Sequence, residues 1–252
     1  MNSLQPKVSI ITVVYNSEIY IERTLKSILN QTFTNFEYLV IDGKSTDKTL
    51  DIVKSYSQLN PIILSEKDNG LYDAMNKGLK LATGEFVWFM NSGDEIASSD
   101  TLAQIFAIET ANKADLIYGE TLITDQQGDT IGLRRLKTPK KLTRNSFKKG
   151  MLISHQSVLV RKNIAPNFNL KYRYSSDYNW LMEVIFNTTK YYNTEIILSK
   201  FMDGGQTKKT IIPGLKERFN IMTNYYGLIS TMLMHIPIAF KFLNFYKKNK
   251  RF

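Results

Sequence analysis

The first hundred residues alternate short, continuous apolar runs with segments whose apolar residues recur at helical spacing. The apolar runs have strand length and are rich in β-branched residues, which is typical of strands buried on both faces. Strands that alternate with helices predict an α/β fold with a mostly parallel sheet and helices on both faces. The predicted strands are 8–15, 36–42, 62–66 and 85–91, and the predicted helices are 18–31, 45–56 (with Ser45 as a candidate N-cap) and 71–82.

The pattern is looser after residue 100, but it continues to predict both strands and helices. Residues 114–132 predict a strand and a hairpin that turns at Gln127, Gly128 and Asp129. We expect the two halves of the chain to share one sheet. The remaining predictions are a helix at 101–109, a basic run at 134–149 that forms a solvated loop or helix face, a strand-like run at 151–162, an amphipathic helix at 176–187 and a strand at 195–201.

Polar residues follow the predicted strands of the first half at the point where each apolar run stops. The second strand ends at Asp42, the third is followed by Glu66–Asp68, and the fourth is followed by Asn91–Asp94. The carboxyl ends of parallel strands meet at one edge of a sheet, and open α/β sheets bind ligands beyond that edge. Asn, Ser, Gly and Asp are also common turn residues. The pattern therefore predicts either a carboxylate-rich ligand site or a set of strand-end turns.

Composition narrows the class of protein. The chain has 252 residues, 43% of them hydrophobic, which supports a folded core. It carries 33 Lys and Arg against 23 acids, so we expect an anionic partner: nucleic acid, a membrane surface or a phosphorylated substrate. The absence of cysteine excludes disulfides and thiolate metal sites, and is compatible with a reducing compartment. The first residues lack a basic n-region and a cleavage site, so no secretory signal is expected.

Four blocks occur in order along the chain: "VSIITVVYN", "FEYLVIDGKSTDKT", "SEKDNGLYDAMNKGLKLATGEFVWFMNSGDE" and "SSDYNWLMEV". Together they resemble the family 2 glycosyltransferases of GT-A fold, in particular the subgroup that builds bacterial surface polysaccharides. The resemblance covers about residues 7–205. It implies a GT-A-type mixed, mostly parallel sheet with a Rossmann-like nucleotide half at 1–100, an acceptor half at 101–205 and a helical C-terminal tail at 206–252.

The resemblance also implies a reaction. A hexosyl or N-acetylhexosaminyl group would pass with inversion from a nucleotide-sugar, expected to be a UDP-sugar, to an acceptor hydroxyl in surface polysaccharide biosynthesis. The departing diphosphate develops negative charge, which a divalent metal (Mn²⁺ or Mg²⁺) held by oxygen ligands would stabilise. Asp94 matches the last acid of the family's metal-binding motif. That motif is NSGD here, so Asn91 and Gly93 stand where carboxylates often occur.

The nucleotide-sugar would lie against the first half of the chain. By resemblance, the first nucleotide-binding loop follows the first strand, the acid of the second strand bonds the nucleobase, and the start of the third helix faces the ribose and diphosphate. Many members have an arginine where Met75 stands, and Lys77 or Lys44 could replace its phosphate contact. The implied donor contacts are Thr12, Val13, Tyr15, Asn16, Asp42, Asp68, Asp73, Asn91 and Ser92.

The residue types alone leave other roles open. Core packing is an alternative for Tyr15, and a strand-end turn is an alternative for Asp42. Asp73 is equally suited to the first turn of a helix, where the helix dipole favours an acid. Asp94 also fits an ordinary turn after a strand.

The acceptor half supplies the implied catalytic base. By resemblance, Asp177 takes the proton of the acceptor hydroxyl, and its alternative role is that of a helix cap. His155 is a secondary candidate, because the subgroup has a similar His-Gln pair near the acceptor pocket, although a lone histidine is more often structural. The glycine loop 203–209 carries two lysines and could close over the diphosphate or remain an exposed loop.

The C-terminal end has its own pattern. Residues 219–240 contain no Asp, Glu, Lys or Arg, but they include His235, Pro237 and two asparagines, which argues against a clean membrane span. The basic stretch 241–252 follows. Such a segment favours association with an anionic membrane interface, and a pair of helices packed on the catalytic domain is the alternative. We therefore expect a cytoplasmic protein, peripheral at the inner face of the bacterial membrane.

Two other classes of function were compared with the glycosyltransferase hypothesis. A catalytically silent nucleotide-sugar-binding or membrane-scaffold subunit is the first alternative. It is suggested because the NSGD block (91–94) and the DGKS block (42–45) contain fewer acids than the family's usual motifs. A nucleic-acid-binding protein is suggested only by the net charge of +10, and no recognisable nucleic-acid fold supports it, so we expect no nucleic-acid partner. A dinucleotide-dependent dehydrogenase is excluded because no G-x-G-x-x-G follows the first strand. The expected partners are a nucleotide-sugar donor and a glycan or lipid-linked acceptor.

Overall fold

The computed structural model describes residues 5–204 and 211–237. The strands in this part of the chain are β1 (Val8–Val14), β2 (Phe36–Asp42), β3 (Ile62–Ser65), β4 (Phe86–Phe89), β5 (Glu95–Ile96), β6 (Leu116–Thr124), β7 (Thr130–Leu133), β8 (Val158–Arg161) and β9 (Tyr191–Met202). The helices with defined bounds are α1 (Ile21–Leu29), α2 (Thr49–Ser55), α3 (Leu71–Leu81), α4 (Thr101–Phe106), α5 (Glu109–Lys113), α6 (Ser176–Asn187) and α7 (Ile211–Tyr226).

The strands form one mixed sheet in the order β3-β2-β1-β4-β8-β6-β9-β5, and β7 pairs with β6. The first four strands are parallel to one another, as the alternation of strand and helix predicted. The neighbours of β8 run antiparallel to it, so both halves of the chain contribute to the same sheet. The predicted hairpin is confirmed, because β6 and β7 are antiparallel.

Helices cover both faces of the sheet and enclose two apolar cores. One core lies between the sheet and α3, α6 and α7, where Met75, Trp180 and Ile221 are buried. The other lies beneath α1, α2 and α4 and buries Leu25 and Val53. Strands buried on both faces explain the continuous apolar runs of the sequence. The α/β class and the covered sheet are therefore as predicted.

The helix α3 is held close to the sheet because one of its residues is glycine. A Cβ atom at Gly78 would lie 2.5 Å from Cγ2 of Ile11 on β1. This close packing sets the position of the α3 N-terminus beyond the carboxyl ends of β1 and β2. The polar residues at the start of α3 therefore lie at the edge of the sheet where a ligand is expected.

Several local predictions were wrong. Helix α2 begins at Thr49 and has no N-cap bond from Ser45, because the Ser45 hydroxyl instead accepts the Asn16 backbone N–H. His155 lies in a 3₁₀ turn and not in a strand. Helix α6 has the predicted bounds, but it is buried on most sides and is not amphipathic. In the basic run, Phe147 is buried in the core, so this segment is only partly solvated.

The C-terminal part of the described chain is a helical hairpin. Helix α7 packs on α6 and buries Ile221 and Met222 in the first core. Residues 228–237 are also helical, and we call them the C-terminal helix. Within residues 5–204 and 211–237, no helix has the length and apolar content needed to cross a bilayer. The stretch 238–252, which includes the predicted basic tail, lies outside the described residues.

We predict that Gly84→Ala destabilises the fold by about 1–3 kcal/mol. A Cβ atom at Gly84 would lie 2.6 Å from the backbone nitrogen of Ser9 and 2.8 Å from the carbonyl carbon of Val8, and backbone atoms of a central strand cannot move aside. Denaturant unfolding measures the difference in free energy. Gly214→Ala is the matched control: the nearest atom to its Cβ is 3.7 Å away and the residue is in a helix, so we expect unchanged or slightly higher stability. Equal stability of the two variants would contradict the prediction.

Candidate active site

The carboxyl end of β2 presents a carboxylate that is buried and held in one orientation. Asp42 has no exposed surface, and both of its carboxylate oxygens accept the backbone N–H of Ser45, at 3.1 and 3.2 Å. The Ser65 hydroxyl at the end of β3 donates to Oδ2 at 2.6 Å. These bonds form a strand-end turn, and they also hold the Asp42 side chain in one orientation at the expected nucleobase position.

The loop after β1 folds against the loop after β2. Asn16 has a φ of +45°, and its side-chain oxygen accepts the Thr46 backbone N–H at 2.9 Å. Tyr15 is 63% exposed, so its ring is available to a ligand and the core-packing alternative is wrong. A Cβ atom at Gly43 would lie 2.4 Å from Oδ2 of Asp68 and 3.4 Å from the Tyr15 ring. The structure therefore brings Tyr15, Gly43 and Asp68 together.

Besides Asp42, two of the expected donor residues have buried side chains. The Thr12 hydroxyl is buried and donates to the carbonyl of Met90 at 2.7 Å, and Val13 is buried in the first core. Their side chains hold β1 against its neighbours. Any contact that they make with a nucleotide would be made by backbone atoms, as the resemblance implies.

The start of α3 uses its acids to order the preceding loop. Asp68 accepts the backbone N–H of Gly70 at 2.8 Å, and Asp73 accepts that of Asn69 at 2.9 Å. Lys77 lies 3.0 Å from Glu66 and 3.8 Å from Asp73. Of the two candidate replacements for the missing arginine, Lys77 is therefore already paired with acids, and Lys44 is exposed. Met75 is wholly buried.

The turn after β4 contains the last acid of the NSGD motif. Asp94 is buried, and its carboxylate accepts the Met202 backbone N–H at 3.0 Å and the Gln156 amide at 3.2 Å. Burial raises the pKa of Asp94 to about 7, although the hydrogen bond from Met202 and the His155 ring oppose this rise. The carboxyl group therefore ties the turn to the end of β9 and lacks a close cationic partner among the described residues.

The structure explains the residue types at two other positions of this turn. Gly93 has a φ of +95°, a backbone conformation that favours glycine over residues with a side chain. Its hypothetical Cβ would also lie 2.6 Å from Cε of Met202. The Ser92 hydroxyl lies 2.6 Å from that of Ser17 and so links the turn to the loop after β1.

Asn91 connects the turn to the second half of the chain. Its amide nitrogen lies 3.4 Å from Nε2 of His155, whose Nδ1 lies 3.3 Å from Oδ2 of Asp177. Since a carboxylate only accepts hydrogen bonds, the Nδ1 atom of His155 carries the proton of the contact with Asp177. The side-chain oxygen of Asn91 is buried and has no hydrogen-bond partner among the described residues.

Three parts of the chain meet at the Asp177 carboxylate: the start of α3, the 3₁₀ turn at His155 and the start of α6. Its Oδ1 accepts the Tyr72 hydroxyl of α3 at 3.1 Å and the Tyr178 backbone N–H at 2.8 Å, while Oδ2 faces His155. Burial opposes ionisation, but the hydrogen bond and charge of His155, the charge of Arg218 and the Tyr178 N–H together hold the pKa of Asp177 below its ordinary value. The side chain is 15% exposed, so an ionised carboxylate remains accessible.

The residues of the turn are chemically suited to a divalent cation. Asn91 offers a buried oxygen with no partner, and Asp94 is a buried carboxyl group whose anionic form would gain from a nearby positive charge. Within the described ranges, no group of three or more His, Cys, Asp and Glu is placed to hold a metal. A cation here would thus take few protein ligands and complete its shell with phosphate oxygens and water, as Mg²⁺ usually does.

Reasoning from the sequence missed the groups that support the two acids. Tyr72 was within a quoted block and Gln156 within the His-Gln pair, but no spacing marks a side chain such as Tyr72, which bonds a residue 105 positions away. Glu217 was also missed: its carboxylate accepts the backbone N–H groups of Arg173, Tyr174 and Ser175, which precede α6. The candidate loop 203–209 falls mostly in residues 205–210, outside the described residues.

Solved structures of known glycosyltransferases share this fold. The S. aureus TarS structure superimposes with a TM-score of 0.71 at 22% identity, covering 97% of this chain and 75% of the TarS chain. A mannosyltransferase from Pyrobaculum calidifontis, solved with GDP-Man and Mn²⁺, gives a TM-score of 0.58 at 16% identity, covering 94% of this chain and 76% of the other. The mixed sheet with its helical C-terminus is therefore the GT-A fold that the resemblance implied.

Sequence comparison identifies the family. The chain is 32% identical over 221 residues to the PGL/p-HBAD biosynthesis glycosyltransferase Rv2957 of Mycobacterium tuberculosis, covering 82% of this chain and 81% of the relative. It is 27% identical over 252 residues to the Escherichia coli UDP-Glc:alpha-D-GlcNAc-diphosphoundecaprenol beta-1,3-glucosyltransferase WfgD, covering 97% and 98% of the two chains. The model of glycosyl transferase family 2 matches residues 9–165. The chain belongs to glycosyl transferase family 2, as the sequence blocks indicated.

Proposed function

We propose that the protein is an inverting glycosyltransferase that moves a hexosyl or N-acetylhexosaminyl group from a UDP-sugar to an acceptor hydroxyl in bacterial surface polysaccharide biosynthesis. The observation that carries this proposal is the environment of Asp177. A single ionised carboxylate, fixed by groups from both halves of the chain, faces the same edge of the sheet as the candidate donor residues. The name of the E. coli relative, which specifies UDP-Glc and a diphosphoundecaprenol-linked sugar, supports the donor and acceptor classes.

The donor would lie over the carboxyl ends of the first four strands. Asp42 would accept an N–H of the base after donor binding moves the loops that cover its buried carboxylate, and the exposed Tyr15 ring offers a surface for stacking. Asn16, Asp68 and Asp73 order the loops around the ribose and diphosphate, and Ser92 joins those loops to the turn after β4. Thr12 and Val13 support the first loop from within the sheet.

A divalent cation, Mn²⁺ or Mg²⁺, would be held by Asp94 and the free oxygen of Asn91, and when bound it would supply positive charge for the departing diphosphate. The chain's own groups perform the proton transfer. Asp177 accepts the proton of the acceptor hydroxyl as the oxygen bonds to the anomeric carbon and the bond to UDP breaks. His155 and Tyr72 hold the carboxylate in orientation and keep it ionised before the transfer.

The proposed domain and location follow from the same reasoning. We propose a catalytic domain at 1–205, with a nucleotide half at 1–100 and an acceptor half at 101–205, and a C-terminal segment at 206–252. A lipid-linked acceptor would require the enzyme to work at a membrane surface. We therefore propose a cytoplasmic enzyme that is peripheral at the inner face of the bacterial membrane through its C-terminal segment.

We predict that Asp177→Asn lowers kcat about 10²–10⁴-fold, because the amide cannot accept the acceptor's proton. The dissociation constant of UDP, measured by calorimetry, should stay within about twofold because Asp177 does not bind the nucleotide. Transfer from UDP-Glc and UDP-GlcNAc to a diphospholipid-linked sugar, followed by mass spectrometry, measures the activity. A wild-type chain that binds UDP but transfers no sugar would favour the silent-subunit hypothesis.

We predict that Tyr72→Phe lowers kcat about tenfold and leaves the KM for the donor unchanged. The change removes one hydrogen bond to the ionised Asp177, and bonds to charged groups contribute about 1.5–3 kcal/mol. Tyr178→Phe is the matched control, since its buried hydroxyl donates to the carbonyl of Phe147 and does not touch the Asp177 carboxylate. If both variants lose the same activity, Tyr72 acts through packing and does not position the base.

We predict that UDP with Mn²⁺ raises the melting temperature by about 5–10 °C at a ligand concentration about 100 times its Kd. GDP should give a smaller shift, and UDP without Mn²⁺ a reduced one. In Asp94→Asn the Mn²⁺-dependent part should vanish, while Asp51→Asn, which changes an exposed acid of α2, should behave as wild type. A Mn²⁺-dependent shift that survives in Asp94→Asn would exclude Asp94 as a metal ligand.

A further inference from the structure

The basic segment, residues 134–149, has no assigned role in the proposed reaction, although the charge of its first residue, Arg134, interacts with that of Asp177. It contains eight Lys and Arg and no acid. Part of it borders a cavity of about 600 Å³ whose charged lining residues are Lys140, Lys141 and Arg144. No acid lines this cavity, so its electrostatic character is that of an anion site.

The wall of this cavity is built by specific hydrogen bonds. The Tyr118 hydroxyl donates to the carbonyls of Pro139 and Lys140 at 3.1 and 3.2 Å, and the Asn193 amide donates to the same two carbonyls. Arg144 donates to the carbonyl of Phe186 at 2.8 Å. By contrast, Lys140 and Lys141 form no ion pair within residues 5–204 and 211–237 and are exposed. Two unneutralised cations are thus carried on a fixed backbone.

The basic segment lies beside the end of α7. The Tyr226 hydroxyl donates to the carbonyl of Arg144, and the ammonium group of Lys148 lies 5.2 Å from the centre of the Tyr226 ring. The chain turns at Gly227, where φ is +80°, and the C-terminal helix begins directly after it. The cations of the basic segment are therefore next to the start of the C-terminal helix.

The C-terminal helix has one side turned to α7 and one apolar side turned to solvent. Thr231 is 1% exposed, and the His235 ring lies 5.0 Å from that of Phe219 on α7. The exposed apolar side chains recur at helical spacing and are between 53% and 77% exposed. They are Leu228, Ile229, Met232, Leu233 and Ile236. This apolar strip begins next to the part of the basic segment that holds Arg144 and Lys148, and such a combination matches the interfacial region of an anionic bilayer.

We propose that the basic segment and the apolar strip of the C-terminal helix form one docking surface for an anionic phospholipid bilayer, with lipid phosphates bound at Lys140 and Lys141. The inference deepens the proposed membrane location, on which it rests, because it assigns the contact to the acceptor half as well as to the C-terminal segment. The sequence after the described residues adds five Lys and Arg and no acid in 241–252, which gives the same charge complementarity.

The test is co-sedimentation of the full chain with vesicles of phosphatidylglycerol and phosphatidylcholine, compared with vesicles of phosphatidylcholine alone. Wild type should bind the anionic vesicles and lose binding as salt is raised. The double variant Lys140→Gln/Lys141→Gln should bind them about 25-fold more weakly, because each lysine near the surface contributes a factor of about five. The matched control Lys54→Gln/Lys80→Gln removes the same charge from exposed positions on α2 and α3, and should bind within about twofold of wild type.

A second pair of variants tests the apolar strip. Ile229→Ser/Leu233→Ser should weaken binding to anionic vesicles at high salt as well as at low salt, since it removes apolar contact and not charge. Wild-type binding by the Lys140/Lys141 variant would overturn the proposal. Equal loss of vesicle binding in Lys140→Gln/Lys141→Gln and Lys54→Gln/Lys80→Gln would also overturn it, because binding would then depend on net charge alone. Lysine-dependent binding to soluble polyphosphate without binding to vesicles would overturn the lipid as partner.

The test also separates this proposal from the proposed function. Transfer to a soluble acceptor sugar should be unchanged in Lys140→Gln/Lys141→Gln, because neither lysine is part of the proposed donor or base site. If wild type binds anionic vesicles through these lysines but transfers no sugar, the proposed reaction fails while the docking surface stands. If it transfers sugar but does not bind vesicles, the docking surface fails alone.

Discussion

The buried carboxylate of Asp177 is the constraint on which the arrangement of the site depends. An ionised carboxylate removed from water must be compensated by hydrogen-bond donors, and those donors must be held in place. Here they come from separate elements: Tyr72 from α3, His155 from the turn before β8, and the backbone of α6 itself. Meeting this requirement brings the start of α3, in the first half of the chain, against α6 in the second half. The requirements of one charge therefore contribute to the geometry between the two halves of the chain.

The sheet makes this convergence possible. Parallel pairing of β1 with β2 and β4 places three strand ends at one edge, and α3 returns to that edge because Gly78 lets it pack directly on β1. The antiparallel strand β8 then carries the adjoining His155 and Gln156 back to the same edge, beside the turn that follows β4. Loops from both halves thus meet above a rigid sheet, which is where the open-sheet rule locates ligands.

The sequence could predict those parts of this arrangement that have a local physical cause, and it could not predict those that depend on tertiary contacts. Strands β1, β2 and β4 were predicted closely because burial on both faces leaves a continuous apolar run, and β3 is a partly buried edge strand with a short apolar run. The two-residue strand β5 and the first part of β9 were missed, since their pairing is decided by register with distant strands and not by local composition. Asp177 and Asp94 were found by resemblance. Their supporting groups, such as Tyr72 and the backbone N–H of Met202, have no local signal because tertiary contacts alone bring them near.

The NSGD turn shows how a departure from a family motif can follow from packing. The backbone at Gly93 has a positive φ and its Cα faces Met202, so a carboxylate side chain at this position would carry conformational strain. Asp94 bonds the backbone of the same residue, Met202, so the turn and the end of β9 are fixed together. Burial without a cationic partner leaves Asp94 with a pKa near 7, which means that its charge is costly in the unliganded protein. A site of this kind gains its full negative charge most readily when a cation arrives together with the diphosphate. We therefore expect metal and nucleotide to bind cooperatively at the proposed donor site, where the motif has a single carboxylate.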